Sequence, residues 1–207
     1  GVGHVDAGTH LLGRVEGVLG RVESLLPPPE PEPDWSRVLA ARWRKRGGRG
    51  LLHAVAHPHA VGLAELVAVD AQKQAIDRNT RQFVAGLPAN NVLLTGSRGT
   101  GKSSLVKAML ATYANDGLRL IEVDKSDLAD LPDIVERIEA RRERFVVFCD
   151  DLTFDAGEAG YKALKVALDG SIAGPSGNVV IYATSNRRHL LPEYMSENLE
   201  TKHVGDE

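Results

Sequence analysis

Apolar positions fall into two rhythms along this chain, and each predicts a different kind of element. Near the start, Leu11, Val15, Val18, Val22 and Leu25 are separated by four, three, four and three residues. That spacing returns every member of the series to one helix face, as in a coiled-coil seam. Leu12, Leu19 and Leu26 widen the stripe, while Gly8, Gly13, Gly17 and Gly20 each weaken a helix by up to about 1 kcal/mol. Residues 1–26 are therefore predicted to form an amphipathic helix. Its stripe packs on its own domain, on a second copy or on a partner helix. Five prolines within 27–33 then exclude both helix and central strand, because proline lacks the backbone donor and fixes φ; an extended spacer is expected.

Asp34 reads as the N-cap of a helix carrying Trp35, Val38, Leu39 and Trp43, with Gly47-Gly48 as its stop. Residues 34–64 are thus expected to be a basic helix and loop. From Asp70 the second rhythm begins. A helix over 70–85, closed by Gly86, is followed by short apolar strands at 91–95, 119–123, 145–149 and 179–184. Helical segments start near Lys102, Leu131 and Gly157. Strands alternating with helices of this length predict a parallel sheet covered on both faces, with 65–207 as its core. No internal repeat is read.

Composition changes this picture little, but charge layout does. The 207 residues carry a net charge of −3, too near neutral for a dedicated nucleic-acid coat. Yet 35–64 holds six Lys/Arg and no acid, so all 28 acids lie elsewhere. One cysteine excludes an intrachain disulfide framework and suits a reducing compartment. No apolar run approaches the roughly 18 residues of a spanning helix, and no signal peptide opens the chain. A cytoplasmic protein with no membrane partner is expected. Gly1 is not an initiator, so the chain reads as an excerpt or a processed form.

The most specific chemistry is Gly96-Ser97-Arg98-Gly99-Thr100-Gly101-Lys102-Ser103, a match to G-x-x-x-x-G-K-[ST] between an apolar strand and a helix. The glycines let successive N–H groups curl round a triphosphate, and the helix N-terminus adds its positive end. Lys102 is expected on the β- and γ-phosphates and Ser103 on Mg²⁺. Gly96, Arg98, Gly99, Thr100, Gly101, Lys102, Ser103 and the adjoining Ser104 form the nucleotide-binding set. A second apolar strand ends in Asp150-Asp151. Asp150 is expected to hold the hydrated metal, and Asp151 to orient or deprotonate the attacking water. Asp is one methylene shorter than Glu, so slow turnover follows. A third apolar strand runs into Asn186, whose amide is placed at a carboxyl-terminal strand end to hold water and sense the γ-phosphate. A turn-forming Asn is the competing reading.

This order of strand, phosphate loop, acid-ending strand and Ala183-Thr184-Ser185-Asn186 resembles the AAA+ ATPases. Leu66-Val67-Ala68-Val69-Asp70-Ala71-Gln72-Lys73 resembles the segment that borders adenine in that superfamily, which implies Val67 and Val69 as nucleotide contacts. More narrowly, Leu87-Pro88-Ala89-Asn90-Asn91, Arg119-Leu120-Ile121-Glu122-Val123-Asp124-Lys125, Phe148-Cys149-Asp150-Asp151-Leu152 and the run from Ser185 to Glu193 resemble the bacterial family of AAA+-like ATPases known as domain of unknown function eight-one-five. The resemblance covers 35–207. It implies a P-loop NTPase three-layer α/β sandwich with a parallel sheet, a last strand and a helical lid; the chain reads as truncated before that strand and lid, and its N-terminal helical extension lies outside the resemblance. It also implies Mg²⁺-dependent ATP hydrolysis to ADP, a homo-oligomer built through the core, and a remodelled protein partner. Neither Arg187 nor Arg188 is placed well enough to be an arginine finger. A nucleotide-gated binding module and a small-molecule phosphotransferase remain the alternatives.

Other signals weigh less. Trp43 among Arg37, Arg42, Arg44, Lys45, Arg46 and Arg49 would accept single-stranded nucleic acid, making 37–49 a candidate interface, although a solvated helix face explains the same run. His53, His57 and His59 lack a neighbouring Cys or carboxylate and read as loop histidines rather than metal ligands. Cys149, inside an apolar strand, reads as a buried hydrophobe.

Overall fold

A computed structural model describes residues 4–26, 28, 30–55, 70–97, 99, 101–152, 159–168 and 177–186. The chain divides into two compact units, Gly1–Pro31 and Glu32–Glu207. The first is a helix, α1 (His4–Leu25), and the apolar stripe from Leu11 to Leu26 is exposed along its whole length. Pro27 and Pro29 of the expected spacer lie outside the described residues.

Among the described residues, the second unit is built on a six-stranded sheet. Its strands are β1 (Ala40–Arg46), β2 (Arg49–Ala54), β3 (Val92–Thr95), β4 (Leu118–Glu122), β5 (Arg144–Cys149) and β6 (Val179–Ser185), in the order β2-β1-β4-β5-β6-β3. All neighbours run parallel except β1 with β2. Helices α2 (Asp70–Val84) and α3 (Lys102–Tyr113) cover one face, and α4 (Leu131–Ile138) and α5 (Ala159–Leu168) the other.

The strands read as continuous apolar runs because both faces are covered. In β5, Phe145, Val147 and Cys149 join Leu131, Ile134, Ile138 and Leu164 in one core. The alternate residues Val146 and Phe148 join Ile76, Phe83, Leu105 and Met109 in the other. The period-two alternation of a strand thus divides one apolar run between two cores.

The expected basic helix opening at Asp34 is not formed among the described residues 34–55. Asp34 closes only one turn, accepting from the Ser36 N–H at 3.1 Å, after which the chain enters the β1–β2 hairpin. Arg46 pairs with Arg49 across a two-residue loop, Gly47-Gly48, with φ of 56° and 78°. Positive φ at both loop residues matches the right-handed twist of a hairpin, and glycine adopts it without steric cost. Ala41 and Trp43 face inward while Arg42 and Arg44 are exposed, so the segment alternates with a strand's period. Trp35 is buried and meets Phe145 edge to face at a centroid distance of 4.9 Å.

Candidate functional site

The site forms where β3, β5 and β6 end together. Register sets this: Cys149 lies beside Ala183, and Thr95 beside Ser185. The residues that follow each strand, Gly96, Asp150-Asp151 and Asn186, therefore emerge at one edge. The Gly96 N–H donates to the Ser185 carbonyl at 3.2 Å, tying the start of the glycine-rich loop to β6. Gly99 and Gly101 take φ of 83° and 84°, a left-handed conformation that side chains other than glycine adopt only with strain. The chain then enters α3 directly at Lys102.

Lys102 is buried, 6% exposed. Its Nζ donates to the Gly96 carbonyl at 2.8 Å, the Ser97 carbonyl at 2.9 Å and Asn186 Oδ1 at 3.1 Å. Burial pushes its ammonium below the usual lysine pKa, and Asp150 and Asp151 pull the other way. The Asn186 amide continues the chain, its Nδ2 donating to Asp151 Oδ1 at 2.8 Å. Asn186 thus joins the cation to the second acid.

Asp150 is held separately. Its Oδ1 accepts from Ser103 Oγ at 2.6 Å and from Thr184 Oγ1 at 2.5 Å. The Thr184 hydroxyl in turn accepts the Asp151 N–H at 2.9 Å. Thr184 belongs with the candidate residues although its role was not legible in the sequence. The available signal was a hydroxyl near the end of an otherwise apolar strand, but its partner depends on the register between β5 and β6. Asp151 has φ of 55°. Asp tolerates this left-handed backbone better than most residues, and the turn sends its carboxylate toward Asn186 instead of onward as strand.

These side chains line a cleft of about 310 Å³ bounded by Gly99, Gly101, Lys102, Ser103, Ser104, Asp150, Asp151, Thr184 and Asn186. One wall offers a cation and a helix N-terminus, and the other a pair of carboxylates, which is a polarity suited to a polyphosphate with a divalent cation. The hard oxygen donors Ser103 Oγ and Asp150 Oδ1 fit Mg²⁺, which characteristically takes few protein ligands and completes its octahedron with phosphate and water. No group of three or more His, Cys, Asp or Glu able to hold an ion occurs among the described residues.

Arg98, Thr100, Val67 and Val69 lie outside the described residues, as do His57, His59, Arg187 and Arg188. Cys149 is wholly buried and its thiol is pushed up to about 12 by desolvation, in keeping with a core residue. The basic run is partly neutralised: Arg42 pairs with Glu122 at 2.8 Å and Lys45 with Asp130 at 3.1 Å. Trp43 is 3% exposed, donates Nε1–H to Asp130 at 3.0 Å and lies beneath Arg137 at 5.1 Å. Its ring is therefore core, which corrects the expectation of a stacking platform within 37–49. No helix among the described residues is long and apolar enough to cross a membrane.

A mostly parallel sheet between two helical layers, with the glycine-rich loop leading from β3 into α3, defines a P-loop NTPase fold of the α/β class. The family described as "Protein of unknown function (DUF815)" matches residues 36–207, and the chain belongs to that family. No curated protein matches the chain. Solved structures similar to it include AMPPCP-bound DnaA from Aquifex aeolicus, at 16% identity and a TM-score of 0.45 over 70% of this chain and 45% of that one. They also include PCH-2 from C. elegans, at 20% identity and 0.48 over 65% and 43%. A third is DnaI, at 19% and 0.45 over 71% and 84%. The chain spans less than half the length of the DnaA and PCH-2 chains.

Proposed function

We propose that this chain binds ATP with Mg²⁺ in the Lys102–Asp150 cleft and hydrolyses it slowly to ADP and phosphate. The observation that carries the reading is the hydrogen-bonded network in which Lys102, Asn186 and Asp151 form one arm and Ser103, Asp150 and Thr184 the other. Each arm puts a residue of the phosphate-loop helix in line with an acid that follows β5, so the two acids have distinct partners.

In this reading, Lys102 exchanges its loop carbonyls for the β- and γ-phosphate oxygens. Ser103 and Asp150 hold Mg²⁺, which when bound neutralises charge on those oxygens. Asp151 takes the proton of a water as its oxygen bonds to the γ-phosphorus and the bond to the ADP oxygen breaks. Asn186 orients that water and registers whether the γ-phosphate is present. The short reach of Asp151 and the contribution of an arginine from a neighbouring copy both limit the isolated rate, since such an arginine is worth about 10³–10⁵-fold where measured. Nucleotide state then drives a homo-oligomer assembled through the core, acting on a protein partner in the cytoplasm of a bacterium.

The test is binding of a fluorescent ATP analogue and phosphate release by the 207-residue chain, with Lys102→Ala and Asp151→Asn as variants. The expected result is Mg²⁺-dependent binding lost in Lys102→Ala, with Asp151→Asn binding normally but releasing no phosphate. Absence of ATP binding in the wild type overturns the reading. Unchanged release in Asp151→Asn removes that residue from its role. If neither form hydrolyses but ATP changes the sedimentation of the wild type, a nucleotide-gated module replaces the enzyme.

A further inference from the structure

The α1 helix carries a near-exact heptad. Leu11-Leu12-Gly13-Arg14-Val15-Glu16-Gly17 recurs as Val18-Leu19-Gly20-Arg21-Val22-Glu23-Ser24, and Leu25-Leu26 begins a third copy. This corrects the reading of no internal repeat. At about 100° per residue, each position repeats along one line of the helix. Leu11, Val18 and Leu25, then Val15 and Val22, then Leu12, Leu19 and Leu26 form a stripe about 120° wide, broader than a two-helix seam needs. Arg14 and Arg21 run along one edge of that stripe, Glu16 and Glu23 along the other, and Gly13, Gly17 and Gly20 occupy the opposite side.

Every apolar residue of the stripe is exposed, from 47% at Val15 to 84% at Leu25. None of the four flanking charges is ion-paired among the described residues. Four glycines make the helix weak by itself, and helices in proteins take most of their stability from packing an apolar face. The stripe therefore requires a covering, and its edges specify one. Antiparallel pairing of two copies sets Arg against Arg on one side and Glu against Glu on the other. Parallel copies arranged in a ring set the Arg edge of each helix against the Glu edge of the next, at every contact alike.

We propose that α1 is an assembly element that binds second copies of itself as a parallel bundle of three or more chains, independently of nucleotide. This does not rest on the ATP reading, because it uses no residue of the cleft.

Sedimentation velocity of the full 207-residue chain without nucleotide tests it. The wild type is expected to sediment as a trimer or larger, and Val18→Asp with Leu19→Asp as a monomer. Arg14→Glu with Arg21→Glu makes both edges acidic, and Glu16→Arg with Glu23→Arg makes both basic. Each pair is expected to weaken assembly at least tenfold alone, and a chain carrying all four substitutions, which exchanges the two edges, is expected to restore it. Fluorescence of Trp35 and Trp43, both in the other unit, should not change in any variant. Leu25→Cys reports orientation, since the native Cys149 is buried. On oxidation with copper–phenanthroline, parallel helices give a disulfide-linked pair, whereas antiparallel ones hold the two thiols about 20 Å apart along the axis. A monomeric wild type overturns the proposal, as does assembly that survives the Asp substitutions or a fourfold charge-exchanged chain that stays dissociated. Co-sedimentation of a monomeric wild type with vesicles containing phosphatidylglycerol would instead make the stripe a lipid-binding face, and that too overturns it.

Discussion

Replacing Thr184 by Val tests whether that residue holds the acids in place. Val keeps the shape of Thr but removes the hydroxyl, which is almost fully buried at 2% exposure for the residue. Two hydrogen bonds go: the one donated to Asp150 at 2.5 Å and the one accepted from the Asp151 N–H at 2.9 Å. A hydrogen bond to a charged group contributes about 1.5–3 kcal/mol. Asp151 is exposed, so water replaces its lost acceptor at little cost. The added apolar methyl returns up to about 0.8 kcal/mol. A net destabilisation of about 1–2 kcal/mol is expected, read by urea unfolding through Trp35 and Trp43 fluorescence. Thr184→Ser loses a methyl of similar worth, so stability alone cannot separate the two variants. A double-mutant cycle with Asp150→Ala does. Thr184→Val and Asp150→Ala should couple by at least about 1 kcal/mol, whereas Thr184→Ser and Asp150→Ala should couple less. Additivity of the first pair within about 0.3 kcal/mol would refute the reasoning, because Asp150 would then not depend on that hydroxyl. Under the ATP reading, Thr184→Val also raises the Mg²⁺ concentration needed for half-maximal nucleotide binding.

Three further outcomes follow from other parts of the fold. A Cβ at Gly50 would lie 1.9 Å from the buried Trp43 ring, so Gly50→Ala should destabilise by about 1–3 kcal/mol or more and shift Trp43 emission to the red, while Ala at the exposed Lys125 should not. Glu143 is buried and accepts from Arg141 Nε and Nη2 at 3.1 and 3.0 Å, a pairing that holds its carboxyl below the usual 4.5. Its contribution is whole above pH 4.5 and is lost as pH falls through the depressed folded value, so the stability gap between wild type and Glu143→Gln should narrow in acid denaturation below that pH. Gly13 and Gly20 lie on the outer side of α1 with nothing within 4 Å of an added Cβ, and Gly13→Ala with Gly20→Ala should stabilise the helix by about 1 kcal/mol per site, measured as a rise in far-ultraviolet helicity and melting temperature.

Local pattern carried the strands and the phosphate loop because each is written in consecutive residues. It failed at 34–64 for an identifiable reason. Trp35, Val38, Leu39 and Trp43 satisfy a helical spacing, and Gly47-Gly48 serves equally as a helix stop or a hairpin loop. The decision between them is not local. Ala40 and Ala41 lie beside Leu120 and Ile121 of β4, and the Leu120 N–H donates to the Leu39 carbonyl at 3.0 Å. These partners lie about eighty residues away and supply what a helix would have supplied from four residues away. The inward Trp43 then completes the core that Trp35 begins. Arg42 finds Glu122 at the end of β4 and Lys45 finds Asp130 just before α4, so part of the charge run is ion-paired within the chain while remaining at the surface.

The candidate site shows the same division between local and distant information. Lys102, Ser103, Asp150, Asp151 and Asn186 were visible because each follows an apolar run at a motif spacing. What joins them is the placement of β6 between β3 and β5. With Cys149 beside Ala183, Thr184 comes level with Asp150 and reaches it; with Thr95 beside Ser185, Asn186 comes level with Gly96 and reaches Lys102. A slip of one residue in β6 would turn Thr184 to the opposite face and bury a hydroxyl without its carboxylate. It would also send the apolar residues Val180 and Tyr182 out of the core they share with Leu105 and Met109. The packing of β6 therefore opposes the slip on both faces at once. The geometry of the candidate site needs no separate determinant: the same apolar packing that fills the two cores aligns the polar residues at the strand ends.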